Sequence, residues 1–77
     1  MYALINTMSA VDVYVGRIVS QHRSAEAAEA ADGRLQRKIK KTNGENSYLP
    51  TRIVHLIVRH RAGEMVARGE VRLIDRW

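Results

Sequence analysis

The stretch that decides the fold is residues 24–44, which read SAEAAEAADGRLQRKIKKTNG. Ser24 can accept an amide proton from the first turn of a helix, and Gly44 is suited to the left-handed position that ends one. The apolar side chains between them recur at helical spacing and form one stripe. They are Ala28, Ala31, Leu35 and Ile39. This pattern predicts a helix over about Ala25 to Lys41, with an alanine-rich face that can approach a sheet closely.

Three stretches rich in β-branched residues flank this helix, at residues 12–20, 51–59 and 65–74. A connection of only four to five residues separates the last two, which predicts a hairpin. The sequence therefore predicts a small α+β domain in the order β-α-β-β. One helix packs on one face of a three-stranded, mostly antiparallel sheet.

The N-terminal segment, residues 1–10, stands apart from the single domain predicted for residues 11–77. Its apolar run Tyr2–Asn6 either adds a fourth strand to the sheet or stays flexible. Within the first strand, Gly16 predicts a β-bulge or a position where another chain segment approaches the backbone closely, with the bulge favoured.

Composition limits the kind of protein this can be. The 77 residues suffice for one small domain, and the absence of cysteine excludes disulfides and cysteine-based zinc sites. No apolar run approaches the roughly 18 residues of a membrane span, and no basic segment precedes the first apolar residues. We expect a cytoplasmic protein without a membrane partner.

Motifs for chemistry are missing. The three histidines lack the spacing of a metal-binding helix, and no nucleophile motif or glycine-rich phosphate loop occurs. The sequence therefore predicts no metal, no cofactor and no enzymatic activity. Of the histidines, His55 is expected to be a half-buried residue of the sheet.

The charges of the helix are segregated. Residues 24–33 carry only acidic charged side chains, whereas residues 34–41 carry only basic ones. The basic group consists of Arg34, Arg37, Lys38, Lys40 and Lys41. Cations near a helix C-terminus complement its dipole, but one or two suffice, and the others repel one another. A solvated surface, a polyanion site and a site for an acidic protein surface all remain open as interpretations.

The function predicted from this charge is that of a non-catalytic basic module. It would contact the backbone of a nucleic acid or another polyanion through the helix, helped by Arg59 and Arg61. Few aromatic residues are present to stack bases. The alternative is a small protein-interaction or inhibitor module that acts through an apolar sheet face. In size and layout the chain also resembles small proteins encoded by phages and mobile elements, some of which inhibit host defence enzymes.

Strand alternation predicts a homodimer. In the second strand, Ile53, His55 and Ile57 point away from Val54, Leu56 and Val58. One helix cannot cover both faces, so the first three residues are predicted to form an interface with a second copy. The competing possibility is that the N-terminal segment or Trp77 folds over that face.

Overall fold

A computed structural model of the chain describes residues 1–73. Its elements are β1 (Tyr2–Asn6), β2 (Tyr14–His22), α1 (Ala25–Asn43), β3 (Thr51–Leu56), β4 (Met65–Ala67) and β5 (Val71–Leu73). Single turns of 3-10 helix lie at Thr7–Ser9 and Arg68–Glu70. The protein is thus a small α+β domain with one helix packed against one sheet.

Ser24 and Gly44 cap α1 as the sequence predicts, although Gly44 has a positive φ with an extended ψ of 157° and not the left-handed helical conformation. The Ser24 hydroxyl accepts a hydrogen bond from the Ala27 amide at 3.1 Å. At the other end Gly44 has a φ of 107° and its amide donates to the Lys40 carbonyl at 2.9 Å. The helix ends at Asn43, two residues later than predicted. No helix within residues 1–73 has the length and apolarity needed to cross a membrane.

Within the described residues the sheet has five antiparallel strands, in the order β4-β2-β1-β3-β5. The prediction of three or four strands was therefore too low, and the N-terminal segment supplies the central strand. The predicted hairpin between residues 51–59 and 65–74 is confirmed only in part. β5 pairs antiparallel with β3, but β4 pairs with β2, so no four-to-five-residue turn joins the paired strands. The predicted end of that last strand at Ile74 lies outside the described residues, as does Trp77.

The sheet is curled. Its two edge strands are joined by the short connection from Ala67 to Val71. In a flat sheet of five strands the edges would be about 19 Å apart, at about 4.8 Å for each neighbouring pair. The connection can reach at most about 14 Å. The edges must therefore bend towards each other, and the sheet encloses its own concave face.

The two faces of the sheet are buried in different ways. On the convex face, Leu4 and Ile53 pack beneath Ala28 of the helix, with Leu35 beside them. The concave face holds a larger interior cluster. Its buried members are Ala3, Ile5, Ile18, Val54, Leu56, Val66 and Val71.

For β3, the predicted assignment of faces was reversed. Ile53 lies under the helix, whereas Val54 and Leu56 lie on the face that the helix does not cover. β1 sets this orientation, because Leu4 pairs with Ile53 and both face the helix. Curling of the sheet, and not a second copy of the chain, closes the other face over these residues.

Gly33, in the middle of α1, should be replaceable by alanine with a gain in stability. A Cβ at this position would meet only the Arg37 guanidinium, at an ordinary contact distance of 3.5 Å. Alanine also restricts the unfolded chain, so Gly33→Ala should raise the free energy of unfolding by about 0.5–1 kcal/mol. Urea denaturation followed by circular dichroism measures this change. A destabilised variant would show that the helix requires a residue without a Cβ at position 33.

Candidate functional site

The basic surface of α1 points away from the sheet. Leu35 packs into the cluster beneath the helix, and the predicted cations lie on the other sides of the same turns. All five of them are exposed to solvent. We call Arg34, Arg37, Lys38, Lys40 and Lys41 the helix cluster.

The half of α1 that carries the helix cluster is fastened to the following loop. Gln36 donates to the Leu49 carbonyl at 2.7 Å and accepts from the Leu49 amide at 3.2 Å. Asp32 accepts from the Thr51 hydroxyl at 2.7 Å. These bonds hold the C-terminal half of the helix against the start of β3. The Asp32 carboxylate is thereby hydrogen-bonded to Thr51 and forms no ion pair with the helix cluster.

The charges of the helix cluster have no ion-pair partner within residues 1–73. None of its five side chains forms an ion pair or a hydrogen bond with another side chain of residues 1–73. Arg37, Lys40 and Lys41 line an open depression of about 520 Å³, in which Glu45 is the only acidic lining residue within that part of the chain. The surface therefore presents a concentrated positive potential to solvent.

The second basic group, Arg59 and Arg61, lies at the other end of the sheet. Its loop is attached to β2, because Gln21 donates to the His60 carbonyl at 2.8 Å and Arg17 donates to the Gly63 carbonyl at 2.6 Å. The helix cluster is instead next to the start of β3. The structure therefore does not bring the two predicted basic groups together into one surface.

Acidic groups accompany this second basic group. The Arg61 amide donates to the Glu64 carboxylate at 2.6 Å, and this hydrogen bond lowers the pKa of Glu64 below its ordinary value. His60 lies 3.3 Å from Glu64 and 3.4 Å from Glu70 through its two ring nitrogens. Local charge at this end of the sheet is consequently closer to balance than on α1.

The three residues of the predicted interface do not share one exposed surface. Ile53 is buried, and His55 is half-buried and stacks on Tyr2 with ring centroids 4.9 Å apart. Ile57 lies beyond the end of β3 and is 58% exposed. Burial of Ile53 removes the main observation behind the predicted homodimer, which stays a prediction.

A cleft that the sequence reasoning missed opens at one end of the curled sheet. It has a volume of about 650 Å³, and Asp12, Arg52 and Arg68 contribute charged side chains to its lining. Residues 11–14 form a tight turn here, where the sequence reasoning placed uninterrupted strand. Asp12, a residue that favours turns, was the signal that could have indicated this break.

Comparisons with protein-family models, with the sequences of characterised proteins and with solved structures found no significant match. The candidate sites therefore rest on geometry and charge alone.

Proposed function

We propose that this protein is a non-catalytic module that binds the phosphate backbone of a nucleic acid through the helix cluster. The observation that carries the proposal is the set of five exposed cations on one half of α1, none of them paired within residues 1–73. Like charges at this spacing repel one another, and bound phosphates would relieve that repulsion.

The dimensions of the helix cluster suit a phosphate backbone. From Arg34 to Lys41 the helix rises about 10 Å, at about 1.5 Å per residue. This length corresponds to about three phosphates of one strand, at an axial spacing of about 3.4 Å. Attachment of Gln36 to Leu49 holds the helix in place, so binding requires little ordering of the backbone.

The distribution of aromatic side chains favours backbone contact over base stacking. Tyr48 is 67% exposed, but the helix cluster itself contains no aromatic residue. Tyr2 is stacked on His55 and is half-buried. Binding should therefore depend little on base sequence.

The alternative, an interaction or inhibitor module that acts through an apolar sheet face, has less support. Ile53 is buried beneath α1, and the opposite face is enclosed by the curled sheet. The apolar side chains exposed at the end of β3 are those of Met1, Ile57 and Val58, at 56%, 58% and 44%. The two faces of β3 are therefore covered within the chain, which leaves that alternative without the apolar sheet face it invoked.

Replacing Arg37 and Lys41 together with alanine should weaken binding to nucleic acid and reduce its dependence on salt. Each lost phosphate contact lowers the slope of log K against log salt by about one unit, so the double variant should lose about two. Fluorescence anisotropy with labelled duplex and single-stranded oligonucleotides measures the slope. Both side chains are exposed, so the fold should be unaffected.

The matched control replaces Arg23 and Arg72 with alanine. Both are exposed, and their removal takes away the same amount of charge from other parts of the surface. This control should retain a slope within about half a unit of the wild type. Equal slopes for the two double variants would refute a localised site. The absence of binding at about 50 mM salt, where electrostatic attraction is strong, would refute the function itself.

A further inference from the structure

The cleft at the end of the curled sheet has the features of a binding site for a small molecule. Val15 and Val71, which pack with the interior cluster, form part of its wall. Its volume of about 650 Å³ lies within the range of small-molecule sites, roughly 300–1,000 Å³. Apolar walls and a few charged groups are the usual composition of such sites.

Three charged side chains reach this cleft without a partner among the first 73 residues. Arg52 and Arg68 make no side-chain hydrogen bond or ion pair within residues 1–73, and neither does Asp12. Arg52 is also half-buried. A partly desolvated guanidinium is costly to leave unpaired, whereas an anion in the cleft would remove that cost.

The backbone at Asp12 adds an independent observation. Asp12 has a φ of 58°, and no other non-glycine residue within residues 1–73 has a positive φ. It occupies the first central position of the turn closed by the hydrogen bonds between Val11 and Tyr14. Glycine would adopt this conformation more readily, so the turn holds a carboxylate at the cleft at the expense of strain.

We propose that this cleft binds a small organic anion, namely a carboxylate or phosphate group attached to an apolar or aromatic body. Arg52 and Arg68 hold the anionic group, because a guanidinium can donate two parallel hydrogen bonds to either group. The valines contact the body, and Asp12 accepts a hydrogen bond from a hydroxyl or amine on it. This site does not depend on the function proposed for the helix cluster.

The charges of the cleft distinguish its ligand from the ligand of the helix cluster. Two guanidinium groups and one carboxylate leave a single net positive charge. Asp12 repels additional phosphates at the rim, so the cleft selects a compact anion over an extended polyanion.

Phenyl phosphate and phenylacetate are matched probes for this cleft, since both place an anionic group on an aromatic ring. Titration of the full chain, followed by amide chemical shifts, should show a dissociation constant at or below about 1 mM for at least one of them. The shifts should centre on Val15 and Val71. The tighter of the two probes identifies the anionic group. Inorganic phosphate lacks the aromatic ring and benzyl alcohol lacks the anionic group, so each should bind at least about tenfold more weakly.

The variants Arg68→Gln and Arg52→Gln should each weaken the preferred probe by about tenfold, with Arg72→Gln as the control of equal charge. Arg68 is exposed, so its variant should fold even if the half-buried Arg52 variant does not. All three should bind oligonucleotides through the helix cluster, which separates this site from the proposed function. Failure of both probes to bind, or equal affinity in Arg68→Gln and Arg72→Gln, would overturn the proposal.

Discussion

Ile53→Ala should lower the free energy of unfolding by about 2–5 kcal/mol, whereas Ile57→Ala should change it by less than about 0.5 kcal/mol. Both isoleucines occur in the same stretch of alternating residues, and the sequence pattern treats them alike. In the structure, Ile53 is 1% exposed and packs against Leu4 and Ala28. Ile57 is 58% exposed and lies beyond the end of β3.

The expected loss at Ile53 is large for a chain of this length. Natural domains are stable by roughly 0.05–0.15 kcal/mol per residue, which amounts to about 4–12 kcal/mol for 77 residues. Urea denaturation of both variants, at the same protein concentration, measures the difference. Similar losses at the two positions would show that Ile57 is buried in solution, as the predicted homodimer requires.

Gly16→Ala should destabilise the protein by about 1–3 kcal/mol, because there is no space for a methyl group at this position. A Cβ built on Gly16 would lie 2.7 Å from the Asn6 carbonyl oxygen and 3.2 Å from the Ile5 Cδ1 atom. The first of these atoms belongs to the backbone of the neighbouring strand. Relief of the clash therefore requires the two strands to separate locally.

Gly69→Ala is the matched control for this substitution. Apart from its two chain neighbours, no described residue has a heavy atom within 4 Å of a Cβ at Gly69, and the φ of Gly69 is not positive. Its replacement should be neutral or slightly stabilising, within about 1 kcal/mol, since alanine restricts the unfolded chain. Thermal unfolding monitored by circular dichroism compares the two. A Gly16→Ala variant as stable as the wild type would contradict the close approach of β1 and β2.

Both sequence interpretations of Gly16, a β-bulge and a close backbone approach, apply in the structure. The sequence predicted a bulge or a close backbone approach, and favoured the bulge. The register of β2 against β4 shifts between Tyr14 and Gly16, as it does in a bulge. The same glycine faces the Asn6 carbonyl. Gly16 lies between β1 on one side and β4 on the other, and the sequence around Gly16 does not reveal these two pairings.

The candidate sites were predictable to different degrees. Exposure of the helix cluster followed from the sequence, because helical geometry places Arg37 opposite Leu35 once Leu35 is assigned to the core. Arg52 and Arg68 are 16 positions apart and neither stands in a recognisable motif. Only the curl of the sheet brings them to the same cleft.

What the sequence by itself determined is the helix, its caps and its segregated charge, since these depend on hydrogen bonds and spacings within a few turns. The tertiary structure decided which face of β3 is covered. Alternation with a period of two defines two faces but does not indicate which one meets the helix. That choice was made by β1, which pairs with both β2 and β3 and brings Leu4 beside Ile53 beneath the helix. The division of the last predicted strand into β4 and β5 was likewise decided by partners at opposite edges of the sheet, because strand pairing depends on residues far apart in the chain.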